Sequence, residues 1–156
     1  MRSVHLAVLI AALAVTSTAE AQSRRNRGNQ DQQIKGDIKP VQKEEKRFPL
    51  GQSWIAVSLN GKPFTGAERP AFALDEQFRA RGFGGCNSFS TTAFPLREQG
   101  IAVGPLALTK KTCDGAAMAS ERSFLTALRT AAKWDTVAGG LVIKGPNGEL
   151  RFERSL

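Results

Sequence analysis

An α+β fold is predicted for Phe48 to Leu156 of this 156-residue chain: a small antiparallel sheet, curled or partly closed, with one helix packed on it. Three observations predict it. Apolar residues from Phe48 onward arrive mostly in short runs between turn signals, helical periodicity appears once, between Asp114 and Ala132, and a strong hairpin signal, Gly145-Pro146-Asn147-Gly148, follows that helix. About a hundred residues suffice for one hydrophobic core and not for two.

Ser53–Leu59 reads as the first strand, and Asn60-Gly61-Lys62-Pro63 turns the chain. Ala71–Leu74 and Phe78–Phe83 follow, separated by Asp75-Glu76. In the second, Phe78, Ala80 and Gly82 alternate with Arg79 and Arg81, which predicts one buried and one wet face. Ser88–Leu96 is a further strand, and Ile101–Val103 and Leu106–Leu108 are short ones on either side of Gly104-Pro105. Met118, Glu121, Phe124, Leu125, Leu128 and Ala132 fall near one helical stripe, with Asp114 as the candidate cap. Lys133–Val137, Leu141–Lys144 and Glu149–Glu153 complete the sheet, Leu150 and Phe152 pointing one way and their charged neighbours the other.

Two segments precede the domain. Residues 1–21 have the parts of an export signal: Arg2, an apolar run from Val4 to Val15 broken only by His5, and Ala19-Glu20-Ala21 as a cleavage site. The run is too short for a bilayer anchor, and no cysteine at the cleavage point could carry acyl chains. The expected product is periplasmic or secreted, soluble and not a lipoprotein. Residues 22–47 are expected to form a flexible basic linker, with eight basic residues against four acidic ones and only Ile34, Ile38 and Val41 as large apolar side chains. Two accounts of it stand: an electrostatic tether to a lipid or other anionic surface through Arg24, Arg25 and Arg27, or a solvated spacer. Nucleic acid is not an expected partner for an exported chain that lacks a recognisable binding module.

Composition removes most catalytic mechanisms. His5 is the only histidine and leaves with the signal, so the mature chain has no Ser-His-Asp or Cys-His pair and no histidine metal site. Cys86 and Cys113 are expected to form a disulfide after export, which removes thiolate chemistry. Closing that loop stabilises the fold by roughly 3 to 4 kcal/mol. Asp75 and Glu76, adjacent on extended backbone, diverge instead of converging on a glycosidic oxygen and read as turn formers. The glycines of Gly82-Phe83-Gly84-Gly85-Cys86-Asn87 lack the Lys-Ser/Thr ending and the following helix of a phosphate cradle, so close backbone approach at a sheet bend accounts for them better. No catalytic residue, cofactor or metal site is expected.

Three binding alternatives stay open on the residues alone. Asn87 either donates its amide to a ligand, or tolerates a left-handed backbone or bonds a neighbouring peptide group. Trp54 and Trp134 either line a lipid pocket or fill the core. Arg79 and Arg81, with Arg151, either meet an acidic partner or anionic surface or pair across strands with Glu149 or Glu153.

Trp54, the Gly61-Lys62-Pro63 turn, Gly85-Cys86-Asn87, Gly104-Pro105-Leu106 leading to Thr109 and Cys113, Glu121 with Phe124-Leu125 and Leu128, and the run from Gly145 to Phe152 stand in a characteristic order. In that order residues 48–156 resemble the META domain, the family typified by the bacterial heat-shock protein HslJ. The resemblance implies a small exported β-rich domain linked to heat and envelope stress, without an established reaction, in which Trp54, Gly85, Asn87 and Thr109 are structural motif positions. It also implies a likeness to pilotin-type domains, which cradle an acyl chain or a partner's tail. The chain departs from the family pattern at Ser88–Phe94 and at Lys110-Lys111-Thr112. The expected function is a non-enzymatic interaction module of the envelope stress response, whose partner is an envelope protein or surface component. The alternative is a small-molecule or acyl-chain binder with a cavity between sheet and helix.

Overall fold

The computed structural model describes residues 45–65 and 68–156. The expected export signal, Arg24, Arg25 and Arg27, and all but the end of the expected basic linker lie outside the described residues.

The described residues form ten strands, nine of them on the predicted runs: β1 (Gln52–Leu59), β2 (Lys62–Pro63), β3 (Ala71–Leu74), β4 (Arg79–Phe83), β5 (Ser88–Leu96), β6 (Gly100–Val103), β7 (Ala107–Leu108), β8 (Lys133–Val137), β9 (Gly140–Gly145) and β10 (Gly148–Arg154). Helix α1 spans Gly115–Arg129 between β7 and β8. All pairings are antiparallel, in the order β10-β9-β8-β6-β5-β4-β3-β1-β2, and β1 also pairs β10. The sheet therefore rolls into a ring, with its narrowest seam at the single Gly100–Lys133 pair between β6 and β8. Where sequence predicts a turn at Lys62-Pro63, these residues instead fold back on β1 as β2, because Asn60 and Gly61, both at positive φ (52° and 77°), already make the reversal.

Period-two alternation fills the ring. Trp54 and Ala56 of β1, Phe72 and Leu74 of β3, and Leu150 and Phe152 of β10 all point inward. A bulge at Val57 shifts the β1–β10 register between Ala56 and Ser58. Gly82 on β4 marks the tightest approach: an added Cβ would lie 2.1 Å from the Ala71 carbonyl oxygen and 2.5 Å from the Phe89 ring. Gly82→Ala is expected to destabilise the domain by about 3 kcal/mol, because backbone cannot give way as a side-chain tip can. A chemical-denaturation midpoint unchanged by that substitution would show that β3 and β4 separate freely.

Asp114 caps α1, its carboxylate accepting from the Ala117 N–H at 2.9 Å. The buried face carries Glu121, Phe124, Leu125, Ala127 and Leu128. Phe124 sits among Phe64, Phe89 and Phe152 with ring centroids 6.0 to 6.2 Å apart, so the helix plugs the ring with an aromatic cluster. Two members of the predicted stripe fall outside it. Met118 is exposed, and Ala132 lies beyond the helix, because its N–H donates to Lys144 O and its carbonyl accepts from Ile101 N–H, drawing the chain into the sheet.

Phe78 also departs from expectation. It is not the first inward residue of β4 but a turn residue at φ 59°, more than a third exposed, with its ring 5.6 Å from that of Phe94. The cause is Asp75, whose Oδ1 accepts from the N–H groups of both Gln77 and Arg79 and pins the reversal.

Candidate functional site

The glycine-dense turn after β4 meets α1 at a buried carboxylate. Glu121 is 7 % exposed, and a carboxylate removed from water to that extent is tolerated only when its oxygens are hydrogen-bonded. Oε2 accepts from the backbone N–H groups of Cys86, at 3.1 Å, and Asn87. Oε1 accepts from the Asn87 side-chain amide at 3.0 Å. All three donors are neutral amides. The neighbouring Gly84 leaves room for this approach, since a Cβ there would stand 2.7 Å from Oε2.

Asn87 passes the contact on. Its Oδ1 accepts from the Thr109 hydroxyl at 2.9 Å and from the Lys111 N–H at 2.7 Å, while Thr109 Oγ1 accepts from the Ser88 N–H at 3.1 Å. The Cys86–Cys113 disulfide, with a Cα–Cα distance of 6.0 Å, ties the same two segments covalently. Three stretches of chain thus converge: the turn at 84–88, the approach to the helix at 109–113, and the helix itself at Glu121. Asn87 bonds peptide groups, as one of its alternatives holds. The left-handed residue in this turn is Gly85, at φ 114°.

Glu121, placed by sequence on the helical stripe and in the family pattern, receives no site role there. Its signal was an acid set within an otherwise apolar helical stripe, three residues before Phe124. Chemically, this arrangement is a fastening. Both sulfurs are bonded to each other, the carboxylate holds three amide donors, and among the described residues no group of His, Cys, Asp or Glu is arranged to hold a metal ion.

The remaining candidates are dispersed. Trp54 and Trp134 lie in the core at 2 % and 3 % exposure, and each keeps a buried indole N–H without a hydrogen-bond partner among the described residues. Phe48 packs edge-on against Trp134 at 4.9 Å. Arg79 and Arg81 face outward on β4 but do not reach Glu149 or Glu153, because β3 and β1 separate β4 from β10. Arg79 instead pairs with Asp75 at 3.0 Å, Arg151 with Glu149 at 2.6 Å, and Glu153 with Arg69 at 2.6 Å. Among the described residues Arg81 forms no salt bridge.

Two surface carboxyls are held below their ordinary acidity range. The Arg79 backbone N–H does so for Asp75, aided by the Arg79 side chain against slight desolvation. The Lys144 ammonium, with Arg151, does so for Glu149. A carboxyl lowered on folding adds stability that is complete above its unfolded value, about pH 4, and is lost as pH falls through the lower folded value. The contribution is small because both groups are solvated. Asp75→Asn combined with Glu149→Gln is expected to flatten the fall in stability between about pH 5 and 2, measured by urea denaturation at each pH. An unchanged slope would assign acid sensitivity to other groups.

Open volume flanks the helix instead of lying beneath it, where Phe124, Ala127 and Leu128 fill the space. One groove, of about 780 Å³, runs between Leu59, Pro63, Phe64 and Pro70 and the helix residues Ala116, Ala117 and Ser120. The other, of about 400 Å³, lies between Leu106 and Leu108 on one side and Met118, Arg122, Leu125 and Arg129 on the other. Among the described residues no helix is long and apolar enough to cross a membrane.

A ring of antiparallel strands plugged by one helix and fastened by a disulfide beside a buried acid defines a small β-rich domain class. The chain belongs to the META domain family, whose model matches residues 47–155. No curated protein matches it. Two solved structures share the fold. A protein determined by NMR is 23% identical with a TM-score of 0.54, over 65% of this chain and 87% of its own. A protein from Burkholderia xenovorans, also determined by NMR, is 22% identical with a TM-score of 0.53, over 68% of this chain and 83% of its own.

Proposed function

We propose that the protein is a non-enzymatic interaction module of the cell envelope, exported, linked to stress as its family resemblance implies, and acting by presenting a rigid surface to an envelope protein or surface component. The observation that carries this reading is the engagement of the groups best suited to chemistry. Cys86, Cys113, Glu121, Asn87 and Thr109 bond one another, leaving apolar grooves and arginines as the accessible features. The basic linker adds electrostatic attraction to that contact.

Deletion of residues 22–47 is expected to weaken association with isolated envelopes several-fold at low salt and to have no effect at high salt, where surface charges are screened. Identical fractionation of truncated and full-length protein at low salt would remove the tether from this account. A second reading, an acyl-chain binder, draws on the 400 Å³ groove, whose size lies in the usual range for small-ligand sites. Native mass spectrometry of protein purified from its own envelope would then reveal a bound lipid.

A further inference from the structure

Among the described residues, nothing pairs the edge of the sheet beside the smaller groove. β6 and β7 run successively along β5, yet among the described residues β8 has a single ladder pair with this edge, at Gly100, and β7 pairs no strand but β5. Leu108 faces Phe89 in a pair flanked by the Thr109 N–H to Ser88 carbonyl bond, so the N–H and C=O of Leu108 itself turn away from β5. Upstream, the Val103 carbonyl is met by Arg129 Nη1 at 3.1 Å, which closes that part of the edge and leaves the stretch at Leu106 to Thr109. Opposite it stands α1, with Met118 and Leu125 as an apolar wall and Arg122 exposed on the rim. Leu108 and Met118 are 46% and 39% exposed, high values for large apolar side chains.

We propose that this groove takes an extended, apolar polypeptide segment with an acidic residue at one end, which adds as a strand to β7 and lies between it and α1. This deepens the interaction-module reading and rests on it. A strand in this position gives its carbonyl to the Leu108 N–H and its N–H to the Leu108 carbonyl, while alternate side chains enter the apolar groove. A hydrocarbon chain would fill the same volume but would strip water from those two backbone groups without replacing it. Charge narrows the choice further. The rim carries Arg122 and Arg129, and the one lining carboxylate among the described residues, Glu121, is occupied by Cys86 and Asn87.

The test uses the full chain after any processing and a random twelve-residue peptide library as probe, followed by affinity measurement on the selected peptides. Enriched peptides are expected to carry alternating apolar residues with an acidic end, and to shift the amide resonances of Leu106 to Thr109 and of α1. Arg122→Glu should weaken them at least tenfold. Leu108→Pro, which removes an N–H that β5 does not use, should weaken them comparably. N-methylation at alternate peptide positions should abolish binding in one phase and spare it in the other, a result independent of any effect on folding. Failure to enrich peptides, or binding equal for both methylation phases, would overturn the proposal. If dodecanoate but no peptide shifts these resonances, the groove is an acyl site and the strand-addition inference falls. The interaction-module reading would then be judged separately by envelope fractionation.

Discussion

Glu121→Ala is expected to lower the stability of the domain by about 4 kcal/mol, because it leaves the Cys86 and Asn87 backbone N–H groups buried without an acceptor and the Asn87 side-chain amide with only its 3.4 Å contact to the Lys111 carbonyl. Glu121→Gln keeps one acceptor oxygen but turns an NH₂ toward the same donors, and should cost about half as much. Denaturant midpoints for the two variants, read with an unchanged slope, would check both values. A midpoint for Glu121→Ala within experimental error of the parent would mean that the turn at 84–88 is held by the disulfide alone. The prediction separates a structural from a catalytic acid, since a catalytic carboxylate could be replaced at little cost to stability.

Removing the disulfide by Cys86→Ala with Cys113→Ala is expected to cost about 3.5 kcal/mol, the loop-closure value for the 27-residue separation. The double variant should still fold, with Asn87, Thr109 and Glu121 in place. If the two costs simply added, including Glu121→Ala would bring the loss to about 7.5 kcal/mol, within the whole stability range of a small domain, so the triple variant is expected to be largely unfolded. Because both ties act on one turn, their costs should couple rather than add independently. A folded triple variant with native far- and near-ultraviolet circular dichroism would show that the ring holds this turn without either tie.

Much of this fold is legible in residue order. Every strand except β2 follows from a short run bounded by turn signals, the helix cap from Asp114, and the hairpin from Gly145 to Gly148, since all depend on neighbours within a few positions. Ring closure by β1 and β10 is not local, for Trp54 and Arg154 are a hundred positions apart. Phe78 illustrates a different limit. Its alternation with Arg79 predicts an inward side chain, but a single Asp75 carboxylate bonding two N–H groups reverses it. In the candidate site, the cysteine pair and the glycines are visible in sequence because their chemistry is special. Glu121 is not, because an acid in a helix is ordinarily solvated, and its burial depends on a turn thirty-four positions away. Helical periodicity likewise places Met118 inside, whereas packing leaves it on the groove wall.

The clasp between β1 and β10 bears on the order in which the molecule is built. β1 can pair β3 as soon as both are free, but its second neighbour is the last strand of the chain. A polypeptide delivered N-terminus first, whether from a ribosome or through a narrow pore, therefore holds a half-satisfied strand until β10 arrives. During that interval β1 is a sticky edge, and Trp54 and Ala56 lack their last wall. Ring closure waits for β10, so the partly delivered domain exposes more apolar surface and more unpaired strand edge than the closed one.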